Sequence, residues 1–160
     1  MSEIRNMSAE DWDQVRQIYL AGLATGQATF ETEAPSWERW DAGHLAVPRL
    51  VAAAGDVVKG WAALSSVSNR AVYAGVAEVS VYVGLEWRGQ GVGRLLLEQL
   101  IEASEQNGIW TLQASIFPEN EPSITLHKAC RFREVGRRER IGRLNGVWRD
   151  TVLLERRNCL

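Results

Sequence analysis

Arg88-Gly89-Gln90-Gly91-Val92-Gly93-Arg94 joins two segments of unlike periodicity. Before it, Val76-Ala77-Glu78-Val79-Ser80-Val81-Tyr82-Val83 alternates and is rich in β-formers, which predicts a strand. After it, Val92, Leu95, Leu96, Leu100 and Ala103 share one face of a predicted helix over residues 91–106, closed by Asn107-Gly108. A strand, a glycine-rich turn and a helix in this order present several backbone N–H groups in one direction, beside the positive end of the helix dipole. Glycines let a backbone approach an anion without Cβ atoms in the way. Two joined phosphates are the natural ligand, with Arg88 and Arg94 flanking the turn. The spacing is not the dinucleotide fingerprint. Arg94 stands where the third glycine belongs counting from Gly89, and Leu96 where it belongs counting from Gly91. No lysine followed by Ser or Thr is present to make a Walker loop. A plain tight turn is the alternative reading of the loop in isolation.

Working outward, Glu3 to Asn6 reads as a short first strand. Ser8, with Asp11 three residues on, caps an amphipathic helix carrying Trp12, Val15, Ile18, Tyr19 and Leu23. Residues 24–35 are loop. Ser36 caps a second helix with Trp37, Trp40 and Leu45 that ends before Pro48. Residues 50–54 and 57–64 read as a strand pair turned by Gly55-Asp56. Past the long helix come a strand over 109–117, the break Pro118 to Pro122, a short helix over 123–130, and strands over about 133–141 and 147–154 around Asn145-Gly146, a strong hairpin signal. The fold class is therefore mixed α/β (α+β). It has a mostly antiparallel central sheet, one parallel pair made by the crossover helix, and about four helices.

The length of 160 residues fits a single domain spanning 1–160, and 46% hydrophobic with 24% charged residues marks a globular chain. No apolar run nears the roughly 20 residues of a membrane span, and Met1 to Asn6 lack an apolar signal core. A cytoplasmic location and no membrane partner are expected. Two cysteines and two histidines make neither a disulfide framework nor a metal set. Residues 1–127 carry 8 basic and 16 acidic side chains, residues 128–160 carry 10 and 4. Without an aromatic-rich basic groove this tail does not predict nucleic-acid binding. It reads as a solvated strand face, a surface meeting acidic parts of the fold or of a partner subunit, or a local field for an anionic cofactor.

Glu78 is the one charge inside an otherwise apolar strand, on the face shared by Val76, Ser80 and Tyr82. A carboxylate on a partly desolvated strand face gains basicity and suits a general base. A solvent-facing glutamate is the plainer reading. His127, in a short amphipathic helix, reads either as structural or as a proton donor, and Tyr82 is a weaker alternative for that donor.

The segment Arg88 to Gly93 resembles the R-x-x-G-x-G signature of the GNAT superfamily of N-acetyltransferases, which bind the pyrophosphate of acetyl-CoA at such a loop. Further segments resemble the phosphinothricin acetyltransferase branch in the right order: residues 28–32, Arg70 to Tyr73, Ala77 to Val83, Asn120 with Ser123, and Gly142 to Leu154. The resemblance implies an acetyl-CoA-dependent transfer of acetyl to the amino group of a small amino acid or analogue, of the phosphinothricin or methionine sulfoximine or sulfone type. It implies that the backbone of Val81, Tyr82 and Val83 pairs with pantetheine, and that amides from Gly89 through Gln90, Gly91, Val92 and Gly93 to Arg94 hold the pyrophosphate. Asn120 and Ser123 would touch the pantetheine or cysteamine end, and the thioester would lie where the strands of Val81 and Leu112 splay apart. Phe30 and Glu31 would cover the amine site, with Ser80 beside it. Arg70 and Tyr73 would bind a substrate carboxylate, and Glu78 would act as base with His127 near the thiol. Relatives commonly form homodimers, so a homodimer is expected. Two positions depart from the family pattern: His127 replaces a frequent tyrosine, and Arg131-Phe132 replaces Gly-Phe. Two rivals stay open at this stage, a non-catalytic CoA-binding sensor and a protein N-terminal or lysine acetyltransferase.

Overall fold

The computed structural model describes residues 2–160. Eleven elements follow one another: β1 (Glu3–Asn6), α1 (Trp12–Ala24), α2 (Trp37–Gly43), β2 (Arg49–Ala54), β3 (Val57–Ser66), β4 (Val76–Val83), α3 (Val92–Gln106), β5 (Thr111–Ile116), α4 (Glu121–Ala129), β6 (Arg133–Leu144) and β7 (Val147–Arg157). The strands form one sheet in the order β1-β2-β3-β4-β5-β7-β6. Every neighbouring pair is antiparallel except β4–β5. The mixed sheet with one parallel pair and four α-helices matches the architecture expected from the sequence.

Strand alternation divides the core in two. One face of the sheet carries Leu50, Ala62, Leu64, Ala77 and Val79 and is covered by Leu96, Leu97 and Leu100 of α3, all buried. The opposite face carries Val51, Trp61 and Ala63 and is covered by Val15, Ile18 and Tyr19 of α1 and Trp40 of α2. Val76 to Val83 sits between these layers. Its odd-numbered residues point to the α3 side and Tyr82 to the α1 side, as the period of two requires.

Several boundaries differ from the sequence reading, each for a local reason. A 3-10 turn over Ala9–Asp11 precedes α1, because Asp11 is drawn back to accept from the Ser8 amide at 2.8 Å and from both terminal nitrogens of Arg5. The second helix stops at Gly43, short of Leu45. His44 leaves the helical region, and its Nδ1 donates to the Trp40 carbonyl at 2.7 Å, closing the helix end. Helix α4 begins earlier than expected, since the Asn120 side chain caps it by accepting from the Ser123 amide and Pro122 is tolerated in the first turn.

The departure at Arg131 has a clear conformational meaning. The amides of Arg131 and Phe132 donate back to the carbonyls of Lys128 and His127, the double bond pattern of a Schellman closure. Its turning residue lies in the left-handed region, where Arg131 has φ +69°. The turn survives without glycine, and Phe132 packs in the core. A side chain held there costs about 1 kcal/mol, partly offset by the lower unfolded-state entropy of a non-glycine residue. Arg131→Gly is therefore expected to raise stability by about 0.5 kcal/mol, read as a higher urea midpoint at unchanged slope.

Candidate active site

The parallel pairing of β4 and β5 is short. Val76, Ala77 and Glu78 lie against Thr111, Leu112 and Gln113, and no register continues beyond them. On its other side β4 stays paired with β3 as far as Val83, and β5 stays paired with β7 as far as Ile116. Each strand is thus held from outside while the edge between them opens. A cavity of about 980 Å³ lies in the opening, lined by Val79 to Val83 on one side and Ala114 to Phe117 on the other. Open strand edges carry unpaired N–H and C=O groups, so an extended amide-bearing chain can dock there as an added strand.

At one end of the cavity stands the turn before α3. Arg88, Gly89, Gly91, Val92, Gly93 and Arg94 all line it. Gly89 has φ +75°, and Gly91, the cap residue of α3, has φ +82°. Nothing lies within 4 Å of where a Cβ would stand on either glycine, so the backbone there is bare toward a ligand. The first amides of α3 have no intrahelical acceptor and carry the positive end of the helix dipole. The turn therefore fits a diphosphate. Gln90 donates its side-chain amide to the Glu86 carbonyl at 3.3 Å and is exposed, leaving its backbone for such a role. Arg94 pairs with Glu98 at 2.7 Å, while Arg88 is exposed at the cavity mouth.

Glu78 lines the cavity at the point where the strands part. One of its carboxylate oxygens accepts from Gln113 Nε2 at 3.0 Å and from Ser115 Oγ at 3.4 Å, both on β5. Sequence reasoning missed Gln113 and Ser115, whose significance depends on the parallel register. Ser80 lines the same wall. Tyr82 stacks against both Tyr19 and Trp61, with ring centroids 5.1 and 4.9 Å away, and those two rings also stack on each other at 5.9 Å. Burial, with Glu31 adding negative charge, pushes both phenols up from their ordinary range, so they stay protonated.

His127 lines the cavity but is itself buried, edge-on to Phe132 at 5.1 Å. Its Nδ1 meets the Ser123 carbonyl at 2.7 Å. A carbonyl can only accept, so the proton sits on Nδ1 and Nε2 is left as an acceptor. Burial lowers the histidine pKa, which favours this neutral form. In it Nε2 takes a proton rather than giving one.

Phe30 forms part of the wall, edge-on to Phe117 at 4.9 Å. Asn120 and Ser123 line the cavity too, but Asn120 is engaged twice, capping α4 and donating to the Gln27 carbonyl at 3.1 Å. Arg70 and Tyr73 do not line the cavity. They sit in a surface turn, with the guanidinium 5.6 Å from the Tyr73 ring centre.

A sheet opened between parallel strands, with a bare helix N-terminus at one end of the gap and a carboxylate near its base, suits a ligand that joins an extended amide-bearing chain to a diphosphate. Residues 7–132 match the model of the Acetyltransferase (GNAT) family, and the chain belongs to that family. It is 34% identical over 160 residues to phosphinothricin N-acetyltransferase of Alcaligenes faecalis, spanning 96% of this chain and 81% of that protein. It is 34% identical over 135 residues to the L-methionine sulfoximine/L-methionine sulfone acetyltransferase of Pseudomonas aeruginosa, spanning 83% of this chain and 73% of that one. Among solved structures, a phosphinothricin acetyltransferase of Sinorhizobium meliloti in complex with acetyl-CoA superposes with a TM-score of 0.88 at 30% identity, covering 98% of this chain and 88% of that chain. The protein is an N-acetyltransferase, and acetyl-CoA is its acetyl donor.

A Cβ-branched residue cannot adopt the φ of Gly91 without strain. Gly91→Val is expected to weaken acetyl-CoA binding at least about tenfold, roughly 1.4 kcal/mol, in calorimetric titration with the fold intact by circular dichroism.

Proposed function

We propose that the acceptor is the amino group of a small amino acid or analogue, of the phosphinothricin or methionine sulfoximine or sulfone type, and that Glu78 is the base. The observation that carries this reading is the placement of the Glu78 carboxylate where β4 and β5 part, oriented by Gln113 and Ser115 toward the cavity that the phosphate-binding turn also lines. The names of the relatives support the acceptor class.

The chain's residues divide the work. Amides from Gly89 to Arg94 hold the diphosphate, and Arg88 adds charge at the mouth. The open edge at Val81, Tyr82 and Val83 takes the pantetheine arm, with Asn120 and Ser123 beside its end. These contacts aim the thioester toward Glu78. An α-amino group has a pKa near 8, so roughly a tenth is neutral at pH 7. Glu78 draws off the proton, directly or through water, as the nitrogen bonds to the acetyl carbon and the carbon–sulfur bond breaks. The electron pair leaves on sulfur. The proton taken from nitrogen passes to that thiolate or to solvent, without a donor role for neutral His127. Neither cysteine takes part: Cys130 is buried in the α3 core and Cys159 is exposed near the C-terminus. Ser80 and Phe30 shape the acceptor end, and Glu31 contributes negative potential that favours an amine there. Arg70 and Tyr73 reach an acceptor carboxylate only if their surface turn moves or a second subunit supplies the closure.

The exposed apolar side chains Val135, Ile141, Val147 and Trp148 on β6 and β7 support a homodimer joined along that edge of the sheet. Two free thiols and dependence on acetyl-CoA support a cytoplasmic setting. Among the described residues no helix is long and apolar enough to cross a membrane.

Acetyl-CoA consumption over a panel of amines tests the substrate reading. Turnover is expected with phosphinothricin and with methionine sulfoximine or sulfone, and no turnover with any free amino acid or analogue would overturn it. Glu78→Gln is expected to lower kcat by about 10²–10⁴ with acetyl-CoA affinity kept. A kcat unchanged in a folded Glu78→Gln would remove Glu78 as the base. Separately, Trp148→Glu is expected to shift the mass measured by light scattering from dimer to monomer.

A further inference from the structure

The acceptor end of the cavity is walled by a loop, residues 25–30, with no strand or helix of its own. Its backbone is held from outside. Arg149 of β7 donates from one terminal nitrogen to the Gly26 carbonyl at 3.0 Å and from the other to Gln27 Oε1 at 2.8 Å. Its guanidinium lies 4.0 Å from the centre of the Phe117 ring, and Glu119 stands 3.6 Å away. The side chain is only 14% exposed and does not line the cavity. Such an arginine is committed to the loop and not free to meet a substrate.

Directly across the hairpin, Arg149 pairs in register with Gly142 of β6. A Cβ on Gly142 would come within 2.9 Å of Phe30 Cε1. The Phe30 ring thus rests on bare backbone on one side and on the edge of Phe117 on the other, while Arg149 covers Phe117 and ties down the residues just before Phe30. One hairpin grips both the start and the end of the loop.

Resting on the acceptor class argued above, we infer that Arg149 and Gly142 are positioning residues that fix the Phe30 wall and so set how large an acceptor side chain the enzyme accepts. Removing the guanidinium frees the Gly26 carbonyl and the Gln27 side chain, leaves the loop backbone held only by the Asn120 bond to the Gln27 carbonyl, and lets the wall drift, which raises the acceptor KM and leaves the cofactor turn alone. Adding a methyl at Gly142 drives Phe30 from its seat and narrows the choice of acceptor. Lysine does not replace Arg149, because its compact ammonium lacks the planar fork that spans two separated acceptors while lying over a ring.

The test uses the full-length protein. In Arg149→Met, hydrogen exchange of the Gly26 and Gln27 amides, which donate to the Leu23 carbonyl and to Thr25 Oγ1, is expected to quicken by about tenfold or more as the turn loses its charge-assisted brace. Acetyl-CoA affinity by calorimetry is expected to stay within about twofold and the acceptor KM to rise more than kcat falls. Arg149→Lys is expected to behave like Arg149→Met. In Gly142→Ala, the kcat/KM ratio between alanine and methionine sulfone is expected to change by about fivefold or more. Unchanged exchange at the Gly26 and Gln27 amides in a folded Arg149→Met, or an equal loss for both acceptors in Gly142→Ala, would overturn the inference. Should Arg149→Met not fold, Gln27→Ala removes one of the two acceptors and is expected to speed exchange at the same amides; no change there also overturns it. The exchange measurement decides the role of Arg149 even if the wild type acetylates no amino acid, so its failure is distinct from failure of the substrate reading.

Discussion

Three residues of parallel pairing, followed by none, organise this molecule. Val76 to Glu78 hold Thr111 to Gln113, and past that point the strands separate. A sheet interior with unpaired backbone is costly unless something else satisfies it. Here the outer partners β3 and β7 keep each strand paired to its end, so the gap does not collapse. The edge groups of Val81, Tyr82 and Val83 are left to water or to an extended amide ligand. Every functional element is placed relative to this opening.

The helices fix the two ends of the gap by ordinary packing. Leu96, Leu97 and Leu100 are fully buried against the sheet, so the start of α3, with its left-handed glycines, is held rigidly at the mouth. On the opposite face an aromatic stack of Tyr19, Tyr82 and Trp61 continues through Trp40. Stacked and edge-on rings of this kind add about 0.5–1.5 kcal/mol each beyond burial. They hold β4 from behind, next to the acceptor end. Strand β4 is thus clamped between a leucine layer and an aromatic layer, and the loop over residues 25–30 lacks such support. The hairpin of β6 and β7 supplies it.

Much of this was legible in the chain itself. Alternation over Val76 to Val83, the helical stripe from Val92 onward and the glycines between them specify strand, turn and helix, because each signal is local and has its own period. Asn145-Gly146 specifies its hairpin for the same reason, both residues taking positive φ. The glycine-rich turn and the isolated Glu78 are likewise local signals. What the sequence alone could not supply was the register that sets Gln113 and Ser115 against Glu78, since those residues are 35 and 37 positions away and nothing in their own neighbourhood marks them. Nor could it supply the proton position on His127, which is fixed by a carbonyl one helical turn back and by burial, or the grip of Arg149 on a loop more than 120 residues earlier. Local chemistry wrote the elements and the anion-binding turn. Only the folded arrangement decided which distant side chains meet Glu78 and hold the loop over residues 25–30, because hydrogen bonding between remote residues depends on where the sheet brings them.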